Sequence, residues 1–249
     1  ILSATATSPT EATVSWTAGG TETAWEYVVQ ASGTGEPTGD GIATTTNPLP
    51  LSGLTSNTAY EIYLRADCGD DASPWVITTF NTPCSTISAF PYLESFETIT
   101  TGQPDCWSLE GTTTTASYHF SSNATGQSGR GMRFDSYFNS NGRTSELITP
   151  VIDASSLTTL ELNFQYKNPT GGNFEVLVSS DGGSTYTSLE TGLTGQTDWV
   201  SKNYNLTSYI SSNMLVKFKG TSNYGSGDAR IYLDEIRIRE IPSCTVPTA

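Results

Sequence analysis

The sequence holds a single histidine, His119, and that scarcity limits its chemistry more than anything it contains. A zinc centre or a hydrolytic triad would rest on this one side chain, with no second His as ligand or base. Neither G-x-S-x-G nor H-E-x-x-H occurs, so two common frames for hydrolysis are missing. Paired carboxylates such as Glu94 with Glu97, or Asp234 with Glu235, arise in any acidic chain and do not by themselves mark a glycosidase. The chain therefore reads as non-catalytic. Basic residues are also few, 11 Lys and Arg against 25 Asp and Glu, for a formal charge of −14. Such a surface repels phosphate backbones and anionic headgroups, so nucleic acid and membrane surfaces are excluded as partners. No run of 18 apolar residues is present, and no membrane insertion is expected. Helical periodicity is missing too, because Gly, Pro or β-branched clusters interrupt every apolar i, i+3, i+4 pattern.

What remains is a β-protein composition. Ser, Thr and Gly are abundant, and 5 Trp, 12 Tyr and 9 Phe supply large core side chains. Four cysteines, none in a C-x-x-C, favour two disulfides over a metal site, which places the chain in an oxidising, extracellular compartment. No signal peptide is visible, since the chain opens on the strand-like ILSATATSPT; the expectation is a segment from within a longer secreted polypeptide.

Ala12 to Thr17 reads ATVSWT, with Ala12, Val14 and Trp16 alternating against polar neighbours. Trp25, Tyr27 and Val29 make the next inward face, and YEIYLRA from Tyr60 alternates again. Strands recur at the spacing of a sandwich. This pattern, with Trp16, Tyr27, Leu54-x-x-x-Thr58-x-Tyr60 and Leu64-Arg65-Ala66, resembles a fibronectin type III domain. The resemblance implies a core role for Trp16 and a tyrosine-corner hydrogen bond for Tyr60.

The first domain is expected over residues 1–83, ended by Pro83, and a second over 84–242. Strands are readable in 157–167, 173–181, 198–206, 213–221 and 229–240, giving eight to ten antiparallel strands and a jelly roll. PYLESFE, PDCW, GQSGRGMRF, VLVSSDGGSTYTSL and IYLDEIRI, in that order, are similar to MAM-type and cleaved-adhesin jelly rolls of secreted bacterial surface proteins. The fold class is thus all-β, a fibronectin type III sandwich followed by a larger jelly-roll sandwich. Ser180-Asp181-Gly182-Gly183 superficially resembles a sialidase Asp-box, but Asp-Gly between two alternating runs signals a hairpin turn.

Residues 243–249, CTVPTA after Ser243 included, resemble a linker into a following fibronectin domain. Tail joined to head reads as the approach to such a domain, so a tandem array of this two-domain unit is expected. Neighbouring copies of the same unit are then partners, with Pro242 and Pro247 stiffening the linker. The family resemblance implies a large surface adhesin or filament, giving stalk length and multivalent adhesion. The alternative is a carbohydrate-binding or accessory module of a secreted hydrolase or protease. Candidate platforms for surface glycans are Tyr137 and Phe138 in DSYFNSNGR and Tyr224 in SNYGSGDAR. If the segment is extended, Tyr137 and Phe138 point to opposite faces and only one of them is free.

Cys68 is expected to pair with Cys84 across the last hairpin of the first domain, and Cys106 with Cys244. The alternative joins Cys84 to Cys106 and leaves Cys68 and Cys244 for each other or for a neighbour. In the resembling jelly rolls a Glu of the first strand and an Asp of a late strand meet at one edge. Glu97 and Asp234 match those positions, so one structural calcium is expected there. Carbonyls of Gln127, Ser128 or Arg130 in the glycine-rich loop would add ligands, with Asp135 a weaker candidate. The alternative makes them ordinary strand-end carboxylates paired with Arg130 or Arg237.

Overall fold

The computed structural model describes residues 1–69, 71–113, 115, 118–169, 172–228 and 230–242. The chain divides into two units, Ile1–Ser85 and Thr86–Ala249.

In the first unit, β1 (Leu2–Ser8), β2 (Glu11–Trp16) and β5 (Leu49–Ser52) form one antiparallel sheet. β4 (Ile42–Thr44), β3 (Trp25–Ala31), β6 (Ala59–Ala66) and β7 (Val76–Asn81) form the other, in that order. The alternation seen in the sequence closes the core between them. Ala12, Val14 and Trp16 face Ile62, Leu64 and Phe80, with Trp25, Tyr27 and Val29 packed alongside. Trp16 and Trp25 meet edge to face at 5.3 Å. The Tyr60 hydroxyl accepts the Thr55 N–H at 2.8 Å, the tyrosine corner that the sequence implied.

Register in this unit overturns one disulfide expectation. β6 and β7 are antiparallel, with Leu64 opposite Val76 at the turn end and Ala59 opposite Asn81 at the open end. Cys68 therefore lies at the turn and Cys84 beyond the open end. About seven residues of strand, roughly 24 Å, separate those ends, against a limit of about 7 Å between bridged Cα atoms. Accordingly Cys68 is an exposed free thiol, while Cys84 and Cys106 are disulfide-bonded. With Cys68 free and four cysteines in all, the two bonded cysteines can only be partners of each other. The Cys106–Cys244 expectation falls with it, because Cys106 is taken by Cys84; Cys244 itself, like the rest of residues 243–249 expected to form a linker, lies outside the described residues.

The second unit has eleven strands among the described residues, more than the eight to ten expected. The additions are short: β8 (Tyr92–Glu94), β9 (Ser108–Gly111) and β10 (Ser121–Asn123). The others are β11 (Gly131–Asp135), β12 (Thr144–Ile148), β13 (Glu161–Asn168), β14 (Asn173–Ser179), β15 (Thr187–Glu190), β16 (Gln196–Asn205), β17 (Leu215–Thr221) and β18 (Arg230–Arg239). One sheet runs β15-β14-β17-β12-β9; the other runs β10-β11-β18-β13-β16, with β8 also paired to β18. Inward positions fill the space between them with aromatic rings. Phe164 contacts Phe218 edge to face at 5.2 Å and stacks on Tyr204 at 6.1 Å. The Asp181 segment is the expected turn between β14 and β15. Its carboxylate accepts from Thr185 N–H (2.9 Å), Thr185 Oγ1 (2.6 Å) and Ser179 Oγ (2.7 Å). Those bonds hold its pKa down to about 2.

β18 organises everything that follows. β13 occupies one edge of it; on the other, β11 pairs with its first half and β8 with its second. Between them the register slips by one residue, from Asn163–Arg237 to Gln165–Asp234, and Glu235 takes φ 51°. This bulge opens the edge at Asp234.

Candidate functional site

Two regions carry the residues singled out in the sequence, and both are built on β18 and its neighbours. The first is a pair of exposed rings. Asp135 ends β11 and caps a single 3-10 turn, Ser136–Phe138, by accepting the Tyr137 N–H on Oδ1 at 3.1 Å. The segment is a turn, so the extended alternation of Tyr137 and Phe138 does not apply. Tyr137 is 55% exposed and Tyr224 48%, with centroids 6.1 Å apart at 76°. These rings belong to stretches about 87 residues apart in sequence, brought together by two buried serine hydroxyls, of which Ser136 Oγ accepts the Asn223 N–H at 3.3 Å. Ser222 Oγ reaches the carbonyls of Asn139 (3.1 Å) and Ser136 (3.4 Å) and accepts the Tyr224 N–H (3.2 Å). Asn139, also buried, donates to the carbonyls of Tyr118 and Asp135. Ser136, Asn139 and Ser222 escaped sequence reasoning; their signal was only the density of Ser and Asn flanking each tyrosine.

The second region is a clasp at the β18 bulge. Asp234 is fully buried; its Oδ2 accepts from Gln127 N–H (2.7 Å) and Ser128 N–H (3.4 Å), and its Oδ1 from Glu235 N–H (2.8 Å). Glu97 closes on the same loop by accepting the Arg130 N–H at 3.1 Å. The glycines make room for both carboxylates. A Cβ on Gly129 would run into the Glu97 carboxylate, and one on Gly126 into the Arg130 carbonyl and within 2.9 Å of Asp234 Oδ2. Burial raises the pKa of Asp234 despite its three amide donors, and that of Glu94 beside it. Arg130 does not compensate them: its guanidinium is turned to the carbonyls of Ile99 and Thr100 and to Ser122 Oγ. Arg237 lies 3.9 Å from Glu235.

The structure thus brings Glu97, Asp234 and Ser128 to one loop, with amides rather than carbonyls of Gln127 and Ser128 facing Asp234. Asp135 stands apart, its Oδ2 3.2 Å from Arg230 and 3.7 Å from Arg133. Among the described residues, no set of three or more His, Cys, Asp or Glu side chains is arranged to hold a metal. His119 touches Thr113 Oγ1 (2.5 Å) and Ser145 Oγ (3.2 Å), and burial lowers its pKa. Both of these side-chain contacts are with hydroxyls, the arrangement of a residue packed against its neighbouring strand.

Two antiparallel β-sandwiches with these surfaces define a modular all-β protein of the fibronectin and jelly-roll kind. Residues 96–245 match the family model of the MAM domain, meprin/A5/mu, and residues 1–79 that of the fibronectin type III domain. The chain belongs to the MAM domain family. No curated protein sequence matches it significantly. Among solved structures it is similar to the K1 cleaved adhesin domain of Lys-gingipain from Porphyromonas gingivalis W83. That similarity is 20% identity over 62% of this chain and 100% of that one, with a TM-score of 0.48. The K3 cleaved adhesin domain of the same protein is 18% identical over 59% and 96%, with a TM-score of 0.46. TmCBM61 in complex with β-1,4-galactotriose is 16% identical over 59% and 94%, with a TM-score of 0.44.

Proposed function

We propose that this chain is a non-catalytic adhesive module of a secreted surface protein and that it grips carbohydrate through Tyr137 and Tyr224. The observation that carries the reading is the frame beneath the two rings. Exposing large apolar surface is unfavourable, yet buried hydrogen bonds from Ser222 and Asn139 hold both rings outward and together. Side chains held in place before contact lose little rotamer entropy on binding, and a phenol ring offers a flat apolar face with a polar rim to a pyranose. The rings stand at 76°, so they form a corner suited to a single bent chain rather than a flat platform for a crystalline sheet. A single such site binds weakly, and many copies in one polypeptide multiply it, which fits the tandem arrangement and neighbouring-copy contacts expected from the sequence. The same surface would serve a carbohydrate-binding module appended to a secreted hydrolase; the sequence flanking this chain decides between the two.

Glu97 and Asp234 are assigned as the side-chain ligands of one structural calcium. Support comes from a buried carboxylate that no basic side chain offsets among the described residues, with Glu97 on the same loop. Two carboxylates fall short of the six to eight oxygens calcium takes, so loop carbonyls and water would complete the shell. Calcium would supply charge compensation and a staple, not chemistry.

Titration of the whole chain with soluble oligosaccharides, read by intrinsic fluorescence, tests the carbohydrate reading. Tyr137→Ala and Tyr224→Ala should each weaken binding about tenfold or more without changing the fold. Unchanged affinity in both variants would sink it.

A further inference from the structure

The chain carries few cations, and nearly half of them stand together. Strand register places Arg133, Lys167, Arg230, Arg237 and Arg239 on the outer face of the six-stranded sheet. Glu161, Asn163, Gln165 and Lys167 alternate with the inward Leu162, Phe164 and Tyr166 along β13. Arg239 pairs with Glu161, Arg237 with Asn163, and Tyr232 with both Lys167 and Arg133. These are five of the 11 basic residues in a chain of charge −14.

What solvent meets there is the cations. Asp135 and Glu161, which bind Arg230 and Arg239, have side chains only 10% and 9% exposed, whereas those arginines are 54% and 38% exposed. Arg237 is 41% exposed above Glu235 at 27%. The recessed Glu161 orients the Arg239 guanidinium fork, and Arg239 and Arg237 both keep part of their guanidinium side chains at the surface. Lys167 has no ion pair among the described residues, and the rings of Trp199 and Tyr232 meet beside it at 6.3 Å. This face is continuous with the tyrosine corner, because Arg133 and Arg230 hold the same Asp135 that caps the turn bearing Tyr137.

We infer that this face selects an acidic polysaccharide, one carrying carboxylate or sulfate groups along its chain. The inference rests on the carbohydrate reading above and names its ligand class. An otherwise anionic protein repels such a polymer everywhere else, so the arginine face also fixes which side it approaches. Planar forks match carboxylate and sulfate oxygens two at a time, while Asn163 and Gln165 on the same face offer donors and acceptors to hydroxyls.

The test is binding of the full chain to polygalacturonate, dextran sulfate and uncharged dextran, with Lys167→Gln, Arg237→Gln and Tyr224→Ala variants. Lys167→Gln breaks no ion pair described here and guards against a variant that fails to fold. Polygalacturonate should bind at least about tenfold more tightly than dextran and weaken about tenfold between about 50 and 500 mM salt. Each charge variant should lower that preference. Preference for dextran sulfate over polygalacturonate would assign the sulfate source; the reverse would assign the carboxylate. Equal binding of polygalacturonate and dextran, both lost in Tyr224→Ala, overturns the inference and leaves the carbohydrate reading standing. Salt-sensitive acid binding that Tyr224→Ala leaves intact supports the inference and refutes the tyrosine corner. Salt-reversible self-association without polysaccharide binding, relieved by Arg237→Gln, also overturns it. The occupant would then be a second copy's acidic surface, such as residues 1–85, whose single basic residue is Arg65.

Discussion

Asp135, the last residue of β11, and Asp234, within β18, sit on neighbouring strands of one sheet, and they solve the same problem in opposite ways. Asp135 is answered by two guanidiniums and a turn amide, and the result is an outward-facing ring. Asp234 is answered by three amides and, among the described residues, by no basic side chain, and the result is a loop drawn inward over a strand bulge. An ion-paired carboxylate is electrically complete. One satisfied by dipoles keeps its charge and leaves a place for a cation. On the proposed reading the tyrosine corner serves as a surface for contact and the clasp as a fastening.

The contrast predicts where damage falls. Asp234→Ala strips the acceptor from the amides of Gln127, Ser128 and Glu235 and should cost about 3 kcal/mol of stability, with carbohydrate affinity little changed. If calcium occupies the clasp, saturating metal at about 100 times its Kd should add about 2.7 kcal/mol to the wild type and nothing to this variant. A melting temperature indifferent to EDTA would remove calcium from the account. Gly126→Ala meets the Arg130 carbonyl, which cannot swing aside as a side chain would, and should cost about 1–3 kcal/mol. Ser222→Ala reverses the pattern: about 1 kcal/mol of stability, but a clear loss of affinity as Tyr224 loosens from Tyr137. An Asp234→Ala protein that is stable but cannot bind, or a Ser222→Ala protein that binds normally, would break the comparison.

The exposed turn at Asp181 gives the smallest effect. Its folded pKa of about 2 lies below the ordinary value of about 3.9, so its contribution is whole above about pH 4 and is lost as pH falls toward 2. Asp181→Asn should flatten the acid limb of the melting-temperature profile over that window and leave neutral behaviour nearly unchanged. A limb as steep as in the wild type would show that the turn does not matter.

Alternation made both cores readable: Val14, Trp16, Leu162, Phe164 and Tyr166 are inward because strands have period two. The Tyr60 corner and the Asp181 turn were legible because each depends on a few adjacent residues. Glu97 and Asp234 were identified through resemblance, since nothing local joins residues 137 positions apart. Strands β8, β9 and β10 were too short to show a period. The Cys68–Cys84 pairing failed although the same alternation argued against it, because antiparallel strands put a hairpin's turn and its exit at opposite ends. The Ser136, Asn139 and Ser222 frame was invisible because small polar residues in turns look alike until folding buries some of them.

The most direct test of the central claim is hydrogen-exchange or hydroxyl-radical footprinting of the whole chain with and without a bound polysaccharide. Protection should concentrate in residues 133–139 and 222–232, with the clasp at 126–130 and the first unit unchanged. Protection confined to the first unit, or to the outer face of the five-stranded sheet, would contradict it.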